Sequence, residues 1–158
     1  ETGTLAMLFA ASTPVIFEQD FRYVFSTGVT STEYMSSAVE AAWQAGARNL
    51  SAVWDLDIFD IEACKAAIEH ARDRGFEVLG NVTLDGGGVT AKMQELQGRR
   101  PAALLACTDQ QTAEGLLLSA RALDFAPGAM VVAHAASPAF VSLVGAANAN
   151  FVMSPATW

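Results

Sequence analysis

Charge is scarce in this 158-residue chain. Only 16% of residues are Asp, Glu, Lys or Arg, and the net charge is −8 from 9 basic and 17 acidic side chains. A basic nucleic-acid footprint is therefore excluded, and no long acidic run exists to act as a docking tail. Long apolar runs are also missing. Nothing approaches the roughly 18 consecutive apolar residues of a membrane-spanning helix. Two cysteines, Cys64 and Cys107, are too few for a disulfide scaffold. Neither has a second Cys or His at ligand spacing, so no metal site is expected. They read either as two buried thiols or as one bridge. Disorder is excluded too, because 52% of residues are hydrophobic and mean hydropathy is +0.29. A single soluble domain with a large core remains.

The opening Glu1-Thr2-Gly3 has the form of a remnant left by a mammalian secretion vector. Two acceptor sequons, Asn49-Leu50-Ser51 and Asn81-Val82-Thr83, agree with an extracellular, glycosylated protein. An oxidising compartment of that kind favours the Cys64–Cys107 bridge.

Apolar, β-rich runs recur at Ser51–Asp57, Glu77–Leu84, Ala102–Thr108, Ala129–Ala135 and Ala149–Ser154. Four are continuously apolar rather than alternating, the pattern of strands covered on both faces. Helical periodicity fills the intervals. Met35, Ala38, Val39, Ala42 and Trp43 share one face of Ser31–Ala45, with Thr30 and Glu33 at capping-box spacing. In Ile61–Arg74 the inward set is Ile61, Cys64, Ile68 and Ala71, with Asp60 as N-cap and Gly75 as stop. Val89–Gln97 follows the Gly86-Gly87-Gly88 turn. Thr108 and Gln111 have capping-box spacing before Ala113, Leu116, Leu117 and Ala120. Ser137 precedes a Pro at the first helical position. The order α, then β-α-β-α-β-α-β-α-β, predicts a three-layer α/β/α fold with a mostly parallel sheet. The N-terminal part differs: Thr4–Ala11 is apolar without an evident partner, and Phe21–Ser26 reads as one further strand. Residues 4–20 are expected to connect to something that precedes the domain, and residues 21–158 to form one α/β unit.

These motifs, in this order, resemble the second lobe of type I periplasmic-binding-protein folds, which include leucine-binding proteins and receptor ligand-binding ectodomains. The crossover into that lobe resembles Ala11-Ser12-Thr13-Pro14 and Arg22-Tyr23-Val24-Phe25-Ser26-Thr27. The first lobe strand resembles Gly46 to Asp55, the end of the next helix Gly75-Phe76-Glu77-Val78, and the closing strand Phe151–Trp158. The pattern's glycine after the first strand is absent from Asp57-Ile58-Phe59-Asp60. The resemblance covers residues 8–158 and implies the flavodoxin-like strand order 2-1-3-4-5. It also implies an extracellular, small-molecule-sensing role.

In such a sheet ligands bind beyond the carboxyl ends of the strands, at the switch between the first and third. Asp55, Asp57 and Phe59 would line one loop and Thr108, Asp109 and Gln110 the other, with His134 and Ser137 beyond the next strand. Helix N-termini there offer N–H groups to a carboxylate or other anion, such as that of an amino acid or anionic metabolite. Asp60, Thr108 and Ser137 are equally suited to capping alone.

Enzyme signatures fail. No G-x-G-x-x-G or G-x-S-x-G occurs, and the triple glycine lacks the Lys-Ser/Thr of a phosphate loop. Asp55 and Asp57 suggest a phosphoacceptor receiver, but the only lysines, Lys65 and Lys92, fall in helices. Asp55, Asp57 and Asp60 lack EF-hand spacing. No catalytic residue and no cofactor is expected. Two roles remain: a non-catalytic lobe that senses a small molecule, or a protein–protein interaction module pairing through the apolar N-terminal stretch with a second lobe or a homodimer partner.

Overall fold

The computed structural model describes residues 3–8, 12–86 and 88–155. The chain runs β1 (Ala6–Leu8), a 3-10 turn (Pro14–Gln19), β2 (Val24–Ser26), a second 3-10 turn (Ser31–Glu33) and α1 (Ser36–Gln44). Then come β3 (Asn49–Trp54), α2 (Ile58–Arg74), β4 (Glu77–Thr83), α3 (Val89–Arg99), β5 (Ala103–Cys107) and α4 (Gln110–Ala122). It ends with β6 (Ala129–Val132), α5 (Pro138–Val144), α6 (Ala146–Ala149) and β7 (Val152–Met153). Five strands form one sheet in the order β4-β3-β5-β6-β7. Every pairing in it is parallel. Counted from β3, that is the order 2-1-3-4-5.

The sheet divides the core in two. Leu50, Ala52 and Trp54 of β3 and Leu105 of β5 pack against α1 and α2, with Val39, Ala42, Ala67 and Ile68. Val53, Leu104, Ala106 and Val132 face the other way, toward Met93, Leu96, Leu116, Leu117 and Phe140 of α3, α4 and α5. Every residue of β5 and β6 is buried, which is why these strands carry no polar alternation. Leu79 is an extra residue in β4, where the register against β3 shifts between Leu50 and Ser51. The neighbouring Gly80 has φ +131, a conformation that suits glycine.

Several local expectations are corrected. The first helix is split: Thr30 makes no capping bond, and Ser31–Glu33 is a 3-10 turn ahead of α1. Asp57, not Asp60, caps α2, which begins three residues early at Ile58. Asp109, not Thr108, caps α4. Ser137 does cap α5, accepting from Phe140 N at 3.1 Å. β3 stops at Trp54, short of Asp57, because the Asp55 carboxylate turns the chain by accepting from Asp57 N at 2.9 Å. The apolar N-terminal stretch does have a partner. β1 pairs in parallel with β2, Met7 opposite Phe25, in a separate two-stranded ladder. Residues 1–2, 9–11, 87 and 156–158 of the motifs above lie outside the described residues.

Candidate ligand-binding edge

A helix that returns between parallel strands starts at their carboxyl edge, so one edge of the sheet collects the loops after β3, β4, β5 and β6. Asp55 holds two of these loops together. Its Oδ1 accepts from Asp57 N, and its Oδ2 accepts from Asp109 N at 3.1 Å, joining the starts of α2 and α4. Asp57 Oδ1 accepts from Phe59 N at 2.8 Å. Asp109 accepts from Thr112 N at 2.9 Å and from its hydroxyl at 3.1 Å. Ser137 Oγ donates to Gln110 Oε1 at 3.4 Å, bringing the loop after β6 to the start of α4. The N–H groups at Phe59, Thr112 and Phe140 are thus occupied by the chain's own side chains.

Asp60 sits behind this rim, 4% exposed, on the first turn of α2. Burial raises its pKa most. The negative charge of Asp55 and a hydrogen bond shared with it add to the rise, and Asp57 and Asp109 contribute further; together they push the group from 3.8 up to about 7. One oxygen, Oδ1, is buried with no hydrogen-bond partner, as is the Thr108 hydroxyl. Among the described residues no group of His, Cys, Asp or Glu is arranged to hold a metal ion.

Three rings border the carboxylates. Tyr34 meets Phe59 edge-on at 5.1 Å, and His134 lies 6.2 Å from each. The Tyr34 phenol is raised in pKa, chiefly by burial, against a hydrogen bond to the His134 backbone that lowers it. His134 holds φ +62, an uncommon conformation for a non-glycine residue. Tyr34 and the buried position of Asp60 escaped sequence reasoning. The signal for Tyr34 was available: residues just before α1 fall on the same edge as those before α2 and α4.

Cys64 and Cys107 are joined by a disulfide, with Cα atoms 5.8 Å apart. Cys64 follows Asp60 by one helical turn and Cys107 directly precedes Thr108, so the bridge ties α2 to β5 beneath the rim. Of the two sequons, Asn81 is exposed on the edge strand β4. Asn49 is half-buried in the inner strand β3, and its Oδ1 accepts from Ala102 N at 2.6 Å.

This architecture is similar to that of many solved structures. A putative branched-chain amino acid ABC transporter protein from Silicibacter pomeroyi superposes with TM-score 0.81 at 14% identity, over 96% of this chain and 42% of that one. A leucine-binding protein from Thermotoga maritima gives TM-score 0.77 at 18% identity, over 89% and 41%. A solute-binding protein from R. palustris, solved in complex with 4-hydroxybenzoate, gives 0.74 at 16% identity, over 90% and 40%. The chain spans about two-fifths of the length of each. None of the curated proteins matches it in sequence. The family described as periplasmic binding protein matches residues 1–158 in full, so the chain belongs to the periplasmic binding protein family.

Proposed function

We propose that this chain is one lobe of an extracellular, non-catalytic binding protein or receptor, and that it contributes the carboxyl edge of its sheet to a cleft for a small metabolite. The observation that carries this reading is the convergence of Asp55, Asp57, Phe59 and Asp109 at the switch between β3 and β5, with Asp55 bonded to both loops. That is where open parallel sheets bind ligands. The family and its solved relatives are binding proteins rather than enzymes, which supports the non-catalytic role. A metabolite library screened by thermal shift tests it, since a ligand that binds only the native state raises the melting temperature. Asp109→Ala is expected to weaken such a hit. Unchanged affinity would remove the edge from consideration.

A second reading has its own observation. Leu5, Met7, Phe21, Tyr23 and Phe25, on and beside the β1–β2 ladder, are 41–63% exposed. An apolar surface of this kind fits a polypeptide partner, either a second lobe or another copy of the chain. Light scattering across a concentration series separates the two: a monomer near 16.6 kDa leaves the ladder to a second lobe, and a persistent dimer puts self-association first.

A further inference from the structure

We infer that a second copy of this chain docks on the outer face of α4, the two α4 helices lying antiparallel across a two-fold axis near Leu118. The face is separate from the sheet edge and from the β1–β2 ladder, so the inference stands apart from both readings above. α4 packs against α5 and α6, on the side of the sheet opposite α1 and α2. Leu118 of α4, Val141 and Leu143 of α5, and Phe151 just before β7 are 38–96% exposed. From Phe125 to Trp158 the sequence holds no Asp, Glu, Lys or Arg. Apolar side chains on an uncharged surface fit a polypeptide partner.

The charges of α4 select which partner. Glu114 and Arg121 are the only charged residues of the helix. Neither has an ion-pair partner among the described residues. Glu114 accepts only from Gln110 Nε2, within its own helix, at 3.5 Å. Arg121 donates through Nε and Nη2 to Asn148 O and through Nη2 to Asn150 O. Its guanidinium is thereby fixed next to the Phe151 backbone, and Nη1 makes no hydrogen bond among the described residues. Glu114 precedes Leu118 by four residues and Arg121 follows it by three, so all three share one stripe of the helix. At a rise of about 1.5 Å per residue, the two charges stand about 6 Å and about 4.5 Å from Leu118 along the axis, in opposite directions. A two-fold axis at Leu118 therefore sets Glu114 of each copy against the partner's Arg121, with leucine against leucine between the two pairs. Such a stripe complements itself. Each copy carries −8, so two copies repel wherever acidic surfaces meet; through this face they meet apolar side chains and two opposite-charge pairs.

Sedimentation velocity of the chain, over a concentration series reaching millimolar at low salt, tests the face with three variants. The parent chain is expected to dimerise reversibly. Leu118→Glu, at an exposed position, brings two carboxylates together at the axis and is expected to leave a monomer with an unchanged melting temperature. Glu114→Arg sets like charges against each other at both pairs and is expected to raise the dimer Kd about tenfold. Met7→Glu, on the ladder, is expected to leave the dimer Kd unchanged. A chain that stays monomeric at every concentration overturns the inference; binding of that monomer to phosphatidylcholine vesicles would give the apolar face to lipid instead. A dimer that survives Leu118→Glu, ignores Glu114→Arg or is lost in Met7→Glu overturns it too, and the last of these gives self-association to the ladder.

Discussion

Replacing Asp60 by asparagine should stabilise this protein at neutral and alkaline pH and leave it unchanged in acid. The Asp60 carboxyl is buried and shares a hydrogen bond with Asp55, and its pKa rises from 3.8 to about 7. Below 3.8 the group is protonated in both folded and unfolded chains and costs nothing. Between 3.8 and 7 the folded chain holds the proton more tightly, so stability falls as pH rises. Above about 7 the proton is gone from both and the penalty is complete. Roughly three pKa units correspond to about 4 kcal/mol. Water at the half-exposed Asp55 screens part of this, and about 2 kcal/mol is the working figure. Asparagine donates to Asp55 as the protonated acid does, without a charge to bury. Urea unfolding of both proteins from pH 4 to 8.5, with the disulfide intact, checks the point. The midpoint difference should open from about pH 4, widen steadily with rising pH and level off above about 7. A difference that is the same at every pH, or an asparagine variant that is weaker at pH 8, would refute the reasoning.

The bridge between Cys64 and Cys107 spans 43 residues, and chain-entropy reasoning assigns its removal a cost of about 4 kcal/mol. Urea unfolding of the double alanine variant measures it, and a loss under about 1 kcal/mol contradicts that assignment. Intact mass after alkylation of the denatured, unreduced chain should show no modified thiol. Glu62 on α2 accepts from Thr13 Oγ1 at 3.0 Å and from the buried Ser31 hydroxyl at 2.5 Å, fastening both segments next to the ladder. Glu62→Ala should cost about 2 kcal/mol and speed amide exchange at Ser31, whose N–H is bonded to Ser12 O. Glu62→Gln, which keeps one acceptor oxygen, should lose less. In a glycosylating secretory host, Asn81 on the edge strand should carry glycan and the half-buried Asn49 should not. Mass spectrometry of Asn81→Gln and Asn49→Gln decides it.

Why the sheet was legible and the rim was not follows from how many residues hold each in place. Strands β3, β5 and β6 are buried on both faces, so a whole run of apolar residues marks each one and no single error moves it. The start of α2 depends on which of Asp55, Asp57 and Asp60 becomes the cap. All three have suitable side chains. The outcome is settled by tertiary contact: Asp55 is claimed by Asp109 N across the sheet, and Asp60 is drawn under the rim toward Asp55. The same competition moves the α4 cap from Thr108 to Asp109. Strands β1 and β2 have three residues each and lie a 3-10 turn apart, too short for alternation to show that they pair with each other and not with the main sheet.

That competition also determines which aspartate is informative about function. Asp57 and Asp109 each satisfy a helix N-terminus, so their presence is explained by folding alone and alanine there removes a cap as well as a charge. Asp55 is occupied in clasping two loops. Asp60 caps nothing, leaves an oxygen unpartnered, and stands where its charge is opposed by three neighbouring carboxylates. Folding gains little from an acid at that position, and an amide of the same shape serves the fold better. If the rim lines the cleft proposed above, a destabilising charge beneath it is the pattern expected when a residue is kept for what it binds rather than for what it packs against. The asparagine variant therefore separates the two roles: it should fold more stably at pH 8 and weaken the binding of any ligand that the thermal-shift screen finds at this edge, a pair of opposite changes that a purely structural Asp60 would not produce.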